Sequence, residues 1–156
     1  PEGIGMTTGD GNVTPTIQVD SVSKWFGNVV AVKEATGDVH FGSELIRRTN
    51  AAVLSGDDFT FYPLLCVGSK GVVSVVSNVD PRRTVALYDA AVSGDLETAL
   101  GLHQGLMGLV AYLFAETNPV PCKAAMAAMG LCDDRVRLPL VHGAPPPPNL
   151  LAGVLS

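Results

Sequence analysis

No stretch of this 156-residue chain gathers lysines and arginines into a block, and its formal net charge is -5. Phosphate backbones need clustered basic residues, so nucleic acid is not an expected partner. No apolar run reaches the length of a membrane span, so no membrane is expected either. Cysteine is scarce. Cys66, Cys122 and Cys132 are an odd set without metal-ligand spacing, and they read as free thiols of a reducing compartment. The three histidines also lack ligand spacing. His40 and His142 are expected in exposed loops, and His103 as a packed helix residue. No nucleophile triad and no Walker-type phosphate loop is found. The chain begins at Pro1 and shows no targeting segment, which suggests that the natural N-terminus lies upstream.

What is present is apolar material. Hydrophobic residues make up 47% and charged residues 16%, enough for a core and too little polarity for a disordered chain. Residues 1–16, rich in Gly and Thr, read as loop, and residues 17–26 as a short helix. "NVVAVKEA" is strand-like. A short surface helix is expected over 42–50, around Leu45 and Ile46. "AAVLSG" (51–56) reads as a second strand. "DDFTFYPLLCVG" reads as a helix capped by Asp57 or Asp58 and ended by Gly68. "GVVSVVSNV" (71–79) is expected to be a third strand throughout.

Helices follow. Asp80 and Pro81 read as N-cap and first helical residue, with Gly94 closing that helix. The longest helix is expected from about Asp95 to Glu116. Its apolar stripe runs through Leu96, Ala99, Leu100, His103, Met107, Val110 and Phe114. Another helix starts at Asn118-Pro119 and stops at Gly130. The prolines of "APPPP" (144–148) are expected to stay outside sheets and helices.

Strand and helix alternating at about 20-residue spacing predict parallel β-α-β units. The fold class is α/β, and the pattern alone fits either an open doubly wound sheet or an eightfold β/α barrel. A complete barrel takes about 250 residues, so a barrel reading implies absent strands. The expected organisation is a partial β/α barrel over 1–94, a helical segment over 95–140, and a Pro-rich tail over 141–156.

Lys33 is the unusual residue of the first strand. Side chains alternate along a strand, which places Val29, Ala31 and Lys33 on one face and Val30, Val32 and Glu34 on the other. Barrel enzymes carry their catalytic groups at the C-terminal ends of strands, where Lys33 stands. An amine among apolar walls loses proton affinity, and the neutral amine attacks carbonyls, so Schiff-base chemistry suits this position. The plainer alternative is a lysine whose stem lies on the surface while its head reaches water. Glu34 points away from that face. Asp57 and Asp58 form a carboxylate pair that helix capping explains.

"VKEATGD" (32–38), "LSGDD" (54–58), "GVVSVVSNV" (71–79), "NPVPCKAAMAAMGL" (118–131) and "RLPL" (137–140) occur in an order and spacing that resemble the dihydrodipicolinate synthase family. The resemblance covers about residues 1–140. It implies the C-terminal part of a (β/α)8 barrel followed by a helical segment. It also implies a class I, lysine-dependent aldolase that condenses pyruvate with aspartate semialdehyde in lysine biosynthesis, with no cofactor. Lys33 matches the lysine that forms the pyruvate Schiff base. Val73 matches a position, often Ile, whose backbone carbonyl lies near bound pyruvate; its alternative role is core packing. Gly56 matches a glycine beside the active site, where a side chain would crowd the ligand; its alternative role is an ordinary turn. A homo-oligomer is expected of the intact family, and a cytoplasmic location, or a plastid one in a photosynthetic eukaryote.

Two departures shape the expectation. The family motif Tyr-Asn-Val-Pro-Gly-Arg-Thr-Gly, which supplies a proton relay and a carboxylate-binding arginine, would fall near the start of this chain. There the sequence reads "PEGIGMTTGDGNVTP", with Thr7-Thr8-Gly9 as the nearest remnant, Thr7 standing where arginine is expected. The tail after "RLPL" also leaves the family pattern. Other pyruvate-dependent aldolases, N-acetylneuraminate lyase and sugar-acid aldolases, share the lysine, and a non-catalytic fragment that binds a partner through its helices is the reading from a different class. Little turnover by this chain alone is expected, together with marginal stability or self-association.

Overall fold

The computed structural model describes residues 30–154. Thr7, Thr8, Gly9, Val29, the expected loop over 1–16 and the expected helix over 17–26 lie outside the described residues.

Three short parallel strands form one sheet in the order β1 (Ala31–Glu34), β2 (Ala52–Ser55), β3 (Gly71–Val72). Helices make the crossovers, α1 (Val39–Arg48) between β1 and β2 and α2 (Phe61–Cys66) between β2 and β3. Parallel neighbours require such crossovers, and Val32 and Val53, paired across β1 and β2, are the β-branched residues of AVKE and AVLS. Helix α1 begins one short turn earlier than the 42–50 expected. Asp38 is its N-cap, and its carboxylate accepts from the amides of His40 and Phe41 at 2.8 and 3.3 Å. His40 is therefore a helix residue, exposed but not in a loop.

The third strand departs most from expectation. Only Gly71 and Val72 pair with β2; the chain then turns into a 3-10 helix over Val76–Asn78. The cause lies far away in sequence. The Asp58 carboxylate accepts from Ser74 Oγ, Val75 N and Val76 N, and so takes the backbone donors that a longer ladder would use.

Helix α3 (Pro81–Ser93) has Asp80 as N-cap and Gly94, at φ +86°, as its left-handed C-cap. Helix α4 (Leu96–Leu113) starts at Asp95, whose side chain accepts from Thr98 N at 3.1 Å. Then come α5 (Val120–Ala128) and α6 (Pro148–Leu151). Pro148 is the first residue of α6, so the last of the four prolines does enter a helix, in the first turn, where an N–H has no intrahelical partner to lose.

The stripe of α4 sits differently from the expected one. Ala99, Leu106, Leu109, Val110 and Leu113 are buried, whereas Leu96, Leu100 and Phe114 are exposed. This helix is apolar on most sides, so periodicity alone does not select the packed face. His103 is half-buried against the Tyr62 ring, with centroids 5.4 Å apart, and burial lowers its proton affinity below the ordinary imidazole range. One core joins Phe61 of α2, Val76, Val79, Leu87 of α3, Leu106, Leu109, Val110 and Leu113 of α4, Cys122 and Ala125 of α5, and Leu151 of α6. Cys66, Cys122 and Cys132 are all free thiols, with only Cys122 buried.

Candidate functional site

The register of the sheet separates two faces. Lys33 pairs with Leu54 and Leu54 with Gly71, so these three lie in one row. Glu34 pairs with Ser55 and Ser55 with Val72, a row on the opposite face. The second row is the helix-covered one. Glu34 and Ser55 are fully buried, and the Glu34 side chain lies under Gly42 of α1, close to Leu64 of α2. Ala31 and Lys33 are exposed. Lys33 is thus the third of four strand residues, on the face that no described helix covers.

Lys33 does not sit among apolar walls within the described residues; its side chain is open, which corrects that part of the expectation. Two clefts, of about 240 and 210 Å³, occur elsewhere, one between Asn78 and Val154 and one around Phe61, Ser74 and Tyr88. Neither is lined by Lys33, Gly56 or Val73.

Gly56 follows β2 directly and passes against the end of β1. A Cβ there would collide with the Glu34 carbonyl oxygen, and would stand 2.8 Å from Ala35 Cα and 2.9 Å from the Glu34 carbonyl carbon. A side chain would therefore crowd first the strand that carries Lys33. Val73 comes just after β3, and its amide donates to the Ser55 carbonyl at 2.8 Å. Val73 is 44% exposed, so it is not packed into the core formed by the described residues.

The two acids after Gly56 have different partners. Asp57 Oδ1 accepts from Thr60 N at 2.8 Å and Thr60 Oγ1 at 3.0 Å, a turn just before α2; the N-cap of α2 is Thr60, so neither Asp57 nor Asp58 caps it as expected. Asp58 reaches across to the loop after β3 instead. Sequence reading assigned both to capping and missed this, because the partners lie 16 to 18 residues away. On β1, Glu34 Oε1 accepts from Thr36 N and Thr36 Oγ1, at 2.6 and 2.5 Å, and shapes the turn that leads into α1. His142 is exposed, with Nδ1 3.2 Å from Asp134 Oδ1.

A parallel sheet with helices on one face only, and a lysine near the strand ends on the other, is the architecture of a β/α-barrel segment. Comparison with known proteins agrees. The pattern of the Dihydrodipicolinate synthetase family matches residues 8–144. The 4-hydroxy-tetrahydrodipicolinate synthase of Geobacter sulfurreducens is 46% identical over 115 residues, covering 72% of this chain and 40% of that protein. The crystal structure of dihydrodipicolinate synthase from Aquifex aeolicus matches with a TM-score of 0.72 at 42% identity, covering 75% of this chain and 41% of that one. That of a dihydrodipicolinate synthase from Bacillus anthracis matches with a TM-score of 0.75 at 36% identity, covering 93% and 51%. The chain belongs to the dihydrodipicolinate synthetase family, and its fold is a partial (β/α)8 barrel. It spans about two fifths of the length of the curated relatives it matches. Among the described residues no helix is long and apolar enough to cross a membrane.

Proposed function

We propose that this chain carries the Schiff-base lysine of a 4-hydroxy-tetrahydrodipicolinate synthase, and that Lys33 is that residue. The neutral Lys33 amine would add to the ketone carbon of pyruvate and lose water to give an imine. Loss of a methyl proton then makes an enamine, whose carbon attacks the aldehyde of aspartate semialdehyde. Val73 would contribute its backbone carbonyl beside the bound pyruvate. Gly56 would keep the Lys33 strand undisplaced and the ligand space clear. The setting is lysine biosynthesis in the cytoplasm, in a homo-oligomer of the intact family.

The observation that carries this reading is the position of Lys33, near the end of β1 on the face opposite the helices. The names of the relatives favour the synthase over other pyruvate-dependent aldolases. The test is to incubate the chain with pyruvate, reduce with borohydride and map the product by mass spectrometry. The expected result is a reduced adduct on Lys33. Labelling of Lys70 or Lys123 with Lys33 clean, or no labelling at millimolar pyruvate, would overturn the assignment.

A further inference from the structure

We propose that Asp58 is a positioning residue for the Lys33 site, bracing the loop after β3 and so fixing the Val73 backbone. The inference deepens the reading of Val73 given above and rests on it. Asp58 is 5% exposed, and both of its oxygens are engaged. Oδ1 accepts from Ser74 Oγ at 2.5 Å; Oδ2 accepts from Val75 N at 2.8 Å and Val76 N at 3.1 Å. Ser74 Oγ accepts in turn from Ser77 N at 2.8 Å. The three residues held by Asp58 follow Val73 directly.

Val73 is therefore fixed from both sides. Its own amide is tied to the Ser55 carbonyl, at the end of β2. The next three residues are tied to Asp58, just beyond β2. Between those two anchors comes Gly56, which lies against the Glu34–Ala35 backbone of β1. The ends of all three strands are thus coupled through one five-residue stretch, "LSGDD". Without the carboxylate, the donors of Ser74, Val75 and Val76 lose their acceptor, and the C-terminal side of Val73 is left to the core packing of Val75 and Val76 and to the turn bonds within residues 74–80. A carbonyl that must meet a ligand tolerates little displacement, since a misplacement of about 1 Å can reduce a rate on the order of a hundredfold.

The brace needs an acceptor, not a titrating group. An asparagine amide oxygen can accept from Val75 N and Val76 N while its NH₂ donates to Ser74 Oγ, which has lone pairs to offer. Asp58→Asn is therefore the conservative variant, and Asp58→Ala the disruptive one.

The experiment uses the full chain. Borohydride trapping on Lys33 is titrated with pyruvate, and amide exchange of Val75 and Val76 is followed by hydrogen–deuterium exchange, at a temperature where circular dichroism shows each variant folded. Asp58→Ala is expected to raise the half-saturating pyruvate concentration by roughly ten- to a hundredfold and to speed exchange at both amides. Asp58→Asn is expected to stay within about threefold of the unaltered chain. Ser74→Ala, which removes one donor to Asp58 together with the acceptor of Ser77 N, is expected to lie between them. Unchanged half-saturation in the Ala variants would overturn the inference. So would an Asp58→Asn variant as impaired as Asp58→Ala, because the charge and not the brace would then be what matters. If the unaltered chain labels Lys33 but the variants do not differ from it, only the role of Asp58 falls. If the unaltered chain does not label, the Lys33 reading falls and this inference with it.

Discussion

Replacing Gly56 with alanine adds one methyl group where two backbones touch. The new Cβ would be 2.8 Å from Ala35 Cα and closer still to the Glu34 carbonyl oxygen, whereas real Cβ contacts keep beyond 3.0 Å. Neither neighbour is a side chain that can rotate away. The end of β1 must therefore part from β2 by on the order of 1 Å, in a structure packed as densely as an organic crystal. That movement works against the parallel ladder, whose register pairs Glu34 with Ser55 immediately beside the collision. Overpacking typically costs about 1–3 kcal/mol, and a clash with backbone on both sides belongs at the upper end. Alanine recovers about 0.4–1 kcal/mol by restricting the unfolded chain. The net expectation is a loss of about 2 kcal/mol, which lowers Tm by about 4–8 °C for a chain of this size. Because the displaced residues adjoin Lys33, trapping of pyruvate on Lys33 should also fall, even at temperatures where the variant is folded. Thermal melts and borohydride trapping check both. A Gly56→Ala variant with unchanged Tm and unchanged labelling would refute the close approach of β2 to the Lys33 strand.

Gly101 offers the opposite case. It is an exposed residue inside α4, with nothing within 4 Å of where a Cβ would stand, so Gly101→Ala should raise stability by about 0.5–1 kcal/mol in the same melts. His103 gives a pH dependence. Burial against α2 depresses its folded pKa below the ordinary 6.5, so the unfolded chain takes up the proton more readily. Its contribution to stability is then fully present above pH 6.5 and is lost as the pH falls below that value. Denaturant titrations between pH 7.5 and pH 5 should show His103→Phe losing less stability on acidification than the unaltered chain; an identical pH profile would remove the argument.

Local rules reach a good part of this fold because their causes are local. Asp80-Pro81 opens α3 and Gly94 closes it, since an N-cap acceptor, a fixed proline φ and a left-handed glycine act within one turn. Period-two alternation places Lys33 and Glu34 on opposite faces without any knowledge of what covers them. The motifs around Lys33, Gly56 and Val73 carry the family. Other features depend on what the chain meets in space. Whether β3 runs on or stops after Val72 is decided by Asp58, a residue from another loop that captures the donors of Val75 and Val76. Which side of α4 is buried is decided by α3 and α5, because an almost wholly apolar helix offers no pattern to choose by. Gly56 looks like any turn glycine until β1 is laid beside it. The sequence determines the order of strands and helices, the caps of α3 and which face Lys33 takes. Only the tertiary structure decides that this face is open, that Glu34 is sealed beneath α1, and that Asp58 ties the strand ends together, because those outcomes depend on hydrogen-bond partners and packing surfaces many residues apart.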